Sequence, residues 1–444
     1  MLRNFVILAA ALAVSQAKVA AQDIFRPSQG GQMSVAPGVA SQLPRGEFDG
    51  AAPMSMAGPG AGGGRYNMKM GPVQMNFSAG MGAAYNTNIN GSNNGSNSNS
   101  NSNNGGFYLT PRVGAAIYWP FSKVNNFSLN LQTGYNYYLT GNVDNQQQFY
   151  LAPGSQLAFN IFVQDVHITI YTRPSITTNP AYNPSISGGG NYNVASNVAG
   201  INVAWDLNDV LLNVGLANSL NYSLTNDYTN QNSTGNQIYA NGSFMVQPYL
   251  RLGLQGSASA IYYFEGSSQG ANSLNDGLSF MLGPFATGNL TRYTTWSAGV
   301  GWQISQFSEN NNPLNTGNAS NPYFYFSISN ELNRYFTHGF SASFETAPSY
   351  QSNFVQLFTL SYNYSWTLIR NWSLGGSLFF NNGSESPGPN SQDFNQAGSS
   401  LSLGYQLTKN WVANVYYSFI GRESTVQVDQ YNQQIIGVNL NYTF

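Results

Sequence analysis

The end of the chain alternates between apolar and polar residues, and this pattern constrains the fold more than any other feature. The apolar set comprises Ile436, Val438, Leu440, Tyr442 and Phe444. The residues between them are Gly437, Asn439, Asn441 and Thr443. Successive side chains of a β-strand point to opposite faces, so the segment predicts a strand with one wholly apolar face and one polar face.

The same alternation recurs along the chain from residue 73 onward. It predicts eighteen strands, near residues 73–85, 107–119, 127–137, 149–163, 166–173, 192–205, 210–222, 237–246, 250–264, 277–288, 292–306, 323–332, 336–347, 354–366, 372–381, 398–407, 411–421 and 433–444. Most runs reach the length of about 9–11 residues that a tilted strand needs to cross a membrane. Single-chain bacterial barrels have an even number of strands, and a count of about 16 also fits the pattern. We therefore expect an all-β fold, a transmembrane antiparallel up-and-down β-barrel of about 16–18 strands over residues 72–444.

The segments between the predicted strands alternate in length. Long segments rich in Asn, Ser and Gly cover residues 86–106, 140–148, 174–191, 223–236, 265–276, 307–322, 382–397 and 422–432. Short turns include 164–165, 207–209, 247–249, 333–335, 367–371 and 408–410. Long outer loops and short periplasmic turns are typical of outer-membrane barrels. Three prolines inside predicted strands indicate bulges or early strand starts, at Pro111, Pro153 and Pro284.

Tryptophan supports the same arrangement. Six of the seven Trp lie at the short-turn ends of predicted strands: Trp119, Trp205, Trp296, Trp366, Trp372 and Trp411. Trp favours the membrane–water interface, so clustering at one rim predicts an aromatic girdle. A soluble β-sandwich or β-helix is the structural alternative. It explains the alternation but neither the alternating loop lengths nor the scarcity of charge.

Charged residues make up 7% of the 444 residues, the net charge is −2 and aromatic residues make up 14%. Soluble domains carry about 25% charged residues and disordered chains are poor in aromatics, so neither class fits. The absence of a basic stripe argues against a nucleic-acid partner. The only histidines, His167 and His338, are far apart, and there is no cysteine. We therefore expect no enzyme, no cofactor and no metal site.

The first residues have the pattern of a cleaved signal peptide. Arg3 precedes an apolar stretch from Phe5 to Val14, and small residues follow, so residues 1–21 are the expected signal peptide with cleavage after Ala21 or, as second choice, Ala17. Residues 22–71 are rich in Gly, Pro, Ala and Met and lack periodicity, so we expect a flexible periplasmic tether. An exported chain without cysteine fits a bacterial envelope.

Residues with parity opposite to the apolar stripe are expected to face the lumen. The pore-lining candidates are Arg112, Gln132, Asn136, Asn160, His167, Arg173, Arg251, Gln303, Glu331 and Glu345. Charge selectivity needs rings of one sign, whereas amides both donate and accept hydrogen bonds. The lumen is therefore expected to favour small neutral solutes. The pattern leaves open whether the charged candidates create local fields or pair and sit at the rims.

The chain resembles the bacterial outer-membrane β-barrel porins, most of all the putative beta-barrel porin-2 group. The matching segments are Phe77 to Asn88, Leu109 to Gly114, Leu407 to Trp411 and the terminal Leu440, Tyr442 and Phe444. The resemblance implies passive transport across the outer membrane of a Gram-negative-type bacterium, contact with outer-membrane lipid, and a membrane-insertion signal at Leu440, Tyr442 and Phe444 read by the barrel-assembly machinery. A homo-oligomer is possible within such families. The alternative is a non-conducting barrel that serves as a structural anchor or surface adhesin through its long Asn-rich loops.

Overall fold

The computed structural model of the chain describes residues 66–89, 105–139, 148–179, 193–264, 274–308, 317–369, 371–388 and 391–444. The expected signal peptide and residues 22–65 of the expected tether lie outside these ranges, as do parts of several expected long loops. No helix among the described residues is long and apolar enough to cross a membrane.

Twenty strand segments account for most of the described residues. They are β1 (Met68–Met70), β2 (Val73–Asn86), β3 (Gly106–Pro120), β4 (Asn126–Tyr138), β5 (Gln148–Leu151), β6 (Gln156–Val163), β7 (Val166–Thr177), β8 (Val194–Leu207), β9 (Val210–Ser223), β10 (Ser233–Gln247), β11 (Leu250–Tyr263), β12 (Gly277–Thr291), β13 (Thr294–Phe307), β14 (Ala319–Asn333), β15 (Phe336–Pro348), β16 (Phe354–Ile369), β17 (Trp372–Glu385), β18 (Asp393–Gln406), β19 (Trp411–Ser424) and β20 (Tyr431–Thr443). Short 3-10 turns at Asn226–Gln231 and Gln427–Asp429 lie in two of the connections.

The segments pair antiparallel in chain order and close into a ring. Closure joins β2 to β20, from Ser78 opposite Thr443 to Asn86 opposite Ile435. β5 and β6 are two parts of one strand, because both lie between β4 and β7. β1 pairs with the start of β2, beyond the point where β20 stops pairing. The described residues therefore form a closed antiparallel barrel of eighteen strands, which confirms the predicted fold class.

The strand interruption at residues 152–155 coincides with one of the three prolines singled out in the sequence, Pro153. Pro111 and Pro284 lie within continuous strands instead. At Pro111 the pairing of β3 with β4 is interrupted, and at Pro284 the pairing of β12 with β13 is interrupted. The register is the same on both sides of each interruption. The expectation of a bulge is wrong at these two positions, because a proline removes one N–H and the ladder on its other side can continue. Register shifts lie at strand ends beside short turns, as at Met245/Gln247 and Thr367/Ile369.

The first strand segment lies in the last residues of the expected tether. Met68 is opposite Met75, and the Asn67 side chain holds the start of β1 against β2. The Asn67 side chain donates to the Phe77 carbonyl at 2.8 Å, and the Phe77 amide donates to Asn67 Oδ1 at 3.2 Å. Pairing in the barrel thus begins at residue 68, a few residues before the predicted boundary at 72.

The outer surface of the barrel is apolar. On β20, Ile436 and Val438 are 56% and 52% exposed, whereas Gln433 and Ile435, of opposite parity, are 1% and 2% exposed. The same inversion of polarity runs around the ring, with large aliphatic and aromatic side chains on the outside of each strand. An apolar exterior of this extent is unfavourable in water and suits contact with hydrocarbon.

Two edges bound this apolar belt. At the short-turn edge, outward Trp residues are 39–45% exposed: Trp119, Trp205, Trp366, Trp372 and Trp411. Trp296 lies at the same edge and is half-buried, whereas Trp302 lies in mid-strand and donates to Ser320 Oγ at 2.9 Å. At the long-loop edge on β17 and β18, outward residues become polar: the Asn382 side chain bonds to Asn395 and the Ser384 hydroxyl to Asp393.

Candidate functional site

The candidate site is the inner wall, formed by the side chains that alternate with the apolar outer residues. All ten predicted pore-lining residues have inward parity in the observed register. Six are buried, at 7% exposure or less: Arg112, Asn136, Asn160, Arg251, Gln303 and Glu345. Four keep partial or full exposure: Gln132, His167, Arg173 and Glu331. That these residues contact a solute stays a prediction.

Two of the predicted residues are brought together in a polar row across β4, β6 and β7. His167 Nε2 lies 2.7 Å from Asn160 Oδ1, and Asn160 Nδ2 donates to Asn126 Oδ1 at 2.8 Å. The imidazole also stacks on the Phe162 ring, with centroids 4.1 Å apart and planes 3° apart. Thr169 Oγ1 lies 3.4 Å from the same ring nitrogen. These contacts position His167 as part of the wall.

Gln303 and Arg251 make hydrogen bonds that support the backbone. Gln303 Nε2 donates to the Thr346 carbonyl at 2.7 Å, and the Thr346 amide donates to Gln303 Oε1 at 3.1 Å. Arg251 Nη2 donates at 3.1 Å to the carbonyl of Asn208, which has φ of 67° in a short turn. Both side chains therefore stabilise the barrel framework.

Arg112 occupies a corner of the wall in which several polar atoms lack partners. It is 5% exposed, and its Nε and Nη2 atoms make no hydrogen bond. These two atoms form one edge of the guanidinium, and such an edge can bind two oxygens of a polar group. Ser78 Oγ, Asn439 Nδ2 and Asn441 Oδ1, on the adjoining β2 and β20, also lack partners. Gly80 leaves the space, since a Cβ there would lie 3.0 Å from Arg112 Nε. The corner therefore holds several polar atoms that are buried within the wall without hydrogen-bond partners.

A row of hydrogen-bonded tyrosines spans several strands of the wall. Tyr325 Oη donates to Gln255 Oε1 at 3.0 Å, and Gln255 Nε2 donates to Tyr323 Oη at 3.2 Å. Gln255 is on β11 and the tyrosines are on β14. The rings cross β12 and β13 because Gly283 on β12 and Gly299 and Gly301 on β13 present no side chain. A Cβ on Gly283 would lie 2.6 Å from Tyr323 Oη, and one on Gly301 would lie 2.6 Å from the Tyr323 ring. The alternation identifies Gln255 as inward, but no sequence signal links it to tyrosines on β14.

The charged candidates are spread around the ring. Arg112, Arg173, Arg251, Glu331 and Glu345 lie on five different strands, β3, β7, β11, β14 and β15. The Arg173 guanidinium lies 4.8 Å from the centroid of the Tyr171 ring. These five candidates therefore form no ring of one sign. The part of the chain that the structure describes also contains no group of three or more side chains suited to hold a metal.

A buried ionic cluster at the long-loop end of β17 was missed by sequence reasoning. Glu385, Asp429 and Arg422 are 7%, 3% and 2% exposed. The Arg422 guanidinium lies 3.8 Å from the centroid of the Phe394 ring. Outward residues at this level are polar, so the cluster lies outside the membrane-spanning part. Burial raises the pKa of Glu385 to about 7, and a hydrogen bond from Ser349 and the charge of Arg422 only partly offset the effect.

The predicted membrane-insertion signal lies on the outer face of β20 at the short-turn rim. Leu440 and Phe444 are 39% and 60% exposed. The Tyr442 ring lies 4.9 Å from that of Trp411 and 5.1 Å from that of Phe444, measured between centroids. The Phe444 amide donates to the Phe77 carbonyl at 3.1 Å, which ties the chain end to β2. Recognition of these residues by assembly factors stays a prediction.

No protein-family profile matches the chain, and no curated protein matches it. The structure is similar to that of OccK2 (OpdF) from Pseudomonas aeruginosa in complex with glucuronate, with a TM-score of 0.46 and 10% identity over 84% of this chain and 98% of that one. It is also similar to a BenF-like porin from Pseudomonas fluorescens Pf-5, with a TM-score of 0.45 and 9% identity over 84% and 100% of the chains. It is similar as well to OccAB3 from Acinetobacter baumannii, with a TM-score of 0.44 and 11% identity over 83% of this chain and 99% of that one.

Proposed function

We propose that the chain is a channel in the outer membrane of a Gram-negative-type bacterium, through which small hydrophilic solutes diffuse passively without catalysis. The observation that carries the proposal is the inversion of polarity around a closed ring of eighteen strands, apolar outside and rich in amides and hydroxyls inside. Barrels of about 16–18 strands are wide enough to leave an aqueous channel.

The solutes that fit the inner wall are mainly neutral. A partly exposed amide side chain, such as that of Gln132, donates and accepts hydrogen bonds with equal ease, and the charged candidates lie on separate strands. A wall of this kind offers hydrogen bonds to hydroxylated solutes but little electrostatic preference for either sign of ion.

A second candidate function is supported by the packing of the inner side chains. Six of the ten predicted pore-lining residues are buried, and Tyr323 is 1% exposed, so inward side chains fill part of the lumen. A barrel closed in this way would act as an anchor or adhesin through its long Asn-rich loops.

Liposome swelling separates the two functions. The full-length mature chain is refolded into vesicles, and swelling is followed in isotonic solutions of neutral sugars of increasing size, then of charged solutes matched in size. The channel predicts swelling that falls with solute size and differs little between neutral and charged solutes of equal size. Absence of swelling with a folded, heat-modifiable barrel supports the anchor, and heat-unfolded protein is the control.

The remaining parts of the proposal concern export and assembly. Residues 1–21 are removed after Ala21, residues 22–71 form a flexible periplasmic tether whose last residues pair with β2, and the barrel-assembly machinery recognises the terminal residues through Phe444. Mass spectrometry of the mature protein tests the cleavage site. Removal of Phe444 is expected to slow insertion in cells while leaving refolding in detergent unchanged, and equal slowing in both would assign Phe444 a structural role only. The size of the purified complex in native electrophoresis tests for a homo-oligomer.

A further inference from the structure

Three connections on the long-loop side meet at the end of β17. They are residues 349–353 between β15 and β16, the described residues 386–388 and 391–392 between β17 and β18, and residues 425–430 between β19 and β20. Ser349 Oγ donates to Glu385 Oε1 at 3.0 Å, and the Glu385 amide donates to the Gln392 carbonyl at 3.0 Å. Ser424 Oγ donates to Gln392 Oε1 at 2.5 Å, and Gln392 Nε2 donates to Gln351 Oε1 at 3.3 Å. Glu385 and Gln392 therefore connect residues 349–353, the connection after β17 and the end of β19, and the Thr425 amide adds a bond from the third connection to the Asp393 carbonyl at 3.0 Å.

The charges at this junction are unbalanced when Glu385 is ionised. Arg422 is the cation beside the two buried carboxylates of Glu385 and Asp429, and its guanidinium also lies over the Phe394 ring. Glu385 Oε2 is buried and has no hydrogen-bond partner. Hydrogen bonds from Ser349 and from the Gln392 backbone, together with the charge of Arg422, favour the carboxylate, but burial outweighs them and the charge of Asp429 adds to its effect, so the neutral acid is favoured below about pH 7.

The groups that face Glu385 from each packed element are few. β19 contributes Arg422, the turn after β19 contributes Asp429, and β20 contributes Tyr431, which lies near Arg422. β16 contributes the apolar residues Val355 and Leu357. On β18, Asp393 is turned outward, where it accepts from Ser384. In this set Glu385 is the group with a pKa near neutrality, at about 7.

We propose that the cluster of Glu385, Arg422 and Asp429 is a proton-controlled clasp, which holds the three connections together when Glu385 is neutral and loosens them when Glu385 ionises. The effect on solute entry rests on the proposed channel function, whereas the clasp itself does not. Loosening separates the outer ends of β15 to β20 and widens the loop-side mouth of the barrel.

The direction of the pH effect follows from linkage. The pKa of Glu385 is about 7 in the closed cluster and near 4.5 once exposed. The closed cluster therefore binds the proton more tightly, and local opening becomes easier as pH rises from about 4.5 to 7, with little further change above. Between pH 4.5 and 7.5 the opening equilibrium is expected to rise on the order of 100-fold.

Hydrogen exchange on the reconstituted full chain tests the clasp. The reporters are amides whose bonds cross the junction, those of Glu385, Ser386 and Thr425, with carbonyl partners on Gln392, Phe354 and Asp393. Their protection, relative to amides of the strand core, is expected to fall on the order of 100-fold between pH 4.5 and 7.5. Protection that stays constant relative to the core would overturn the proposal.

Three variants sharpen the test. Glu385→Gln keeps the shape but cannot ionise, so its relative protection should not change with pH. Glu423→Gln, an outward exposed position on the same strand end, should behave like the unmodified chain. Ser349→Ala removes the hydroxyl that favours the carboxylate, so the fall should move to higher pH. If Glu385→Gln retains the fall, or Ser349→Ala leaves its midpoint unchanged, the clasp is wrong.

Conductance measurements test whether the clasp affects solute entry. In planar bilayers, loop-side pH is changed from 4.5 to 7.5 while the other side stays fixed, and conductance is expected to rise in the unmodified chain but not in Glu385→Gln. Unchanged conductance in a working channel refutes the mouth effect, even where hydrogen exchange supports the clasp. A silent barrel that retains the pH-dependent protection refutes the channel and leaves the clasp intact.

Discussion

Replacement of Val415 by Arg tests whether the outer surface contacts lipid. Val415 faces outward on β19 and is 52% exposed, and it lies opposite Leu403 and Val438. It is four residues from Trp411, which marks the short-turn rim. At about 3.4 Å per residue and a tilt near 45°, Val415 lies about 10 Å into an apolar band about 25 Å tall. The position is therefore close to the middle of the bilayer.

The expected cost follows from that depth. Arginine on the lipid face of a barrel destabilises it by about 2–4 kcal/mol at the midplane and by about 0–1 kcal/mol near the interfaces. A loss of 2–4 kcal/mol corresponds to a change of roughly 30- to 1,000-fold in the folding equilibrium. Glu423→Arg is the matched control, because residue 423 shares the strand and the outward face but lies beyond the apolar belt.

The assay is reversible unfolding in phospholipid vesicles, followed by tryptophan fluorescence in guanidinium chloride. The account predicts a loss of about 2–4 kcal/mol for Val415→Arg and at most about 1 kcal/mol for Glu423→Arg. Equal losses at the two positions, or no loss at Val415, would mean that the exterior does not face hydrocarbon, and the assignment of a membrane barrel would be refuted.

Three further predictions concern the inner wall and the loop side. Gly301→Ala places a Cβ 2.2 Å from the Leu282 carbonyl oxygen and 2.6 Å from the Tyr323 ring and should cost about 1–3 kcal/mol in unfolding experiments, whereas Gly154→Ala, with open space around it, should cost much less. Arg112→Gln removes one fixed charge and should shift the reversal potential in a salt gradient toward cations while the preference stays weak; a shift toward anions would contradict this. Because the folded-state pKa of Glu385 is raised to about 7, its contribution to the free energy of unfolding should fall by on the order of 3 kcal/mol as pH rises from about 4.5 to 7, and Glu385→Gln should abolish that slope in unfolding curves.

The strands were predictable because lipid imposes a period of two. Each outward position within the belt must be apolar, so residues such as Val438 and Leu440 reveal the parity of their strand without any tertiary information. The same parity placed all ten pore-lining candidates on the inner wall. Short turns also left a signal, since Asn208 adopts the left-handed conformation that Asn tolerates better than most residues.

The loop-side cluster could not be predicted in this way. The strands extend beyond the apolar belt, and there the outward residues become polar, as at Asn382 and Ser384. Alternation disappears at that level, so the predicted strands end at 381 and 421, before Glu385 and Arg422. A polar outward face gives no parity from which to infer that both charged side chains point inward and are buried.

Contacts across several strands are also beyond a periodicity argument. The bonds from Gln255 to Tyr323 and Tyr325 depend on which glycines lie between them in the assembled wall, and strand register sets that neighbourhood. Burial of Arg112 similarly depends on Gly80 and the side chains of β20. Sequence parity therefore indicates which way a residue points, but its partners follow from the three-dimensional neighbourhood.

We propose that the barrel encloses a water-filled passage with little charge selectivity. Single-channel recording in a planar bilayer, with a tenfold salt gradient across the membrane, tests it most directly. We expect stepwise conductance and a reversal potential close to zero, because neutral amides dominate the inner wall. A correctly folded barrel that gives no conductance steps, or a reversal potential near the limit for one sign of ion, would contradict it.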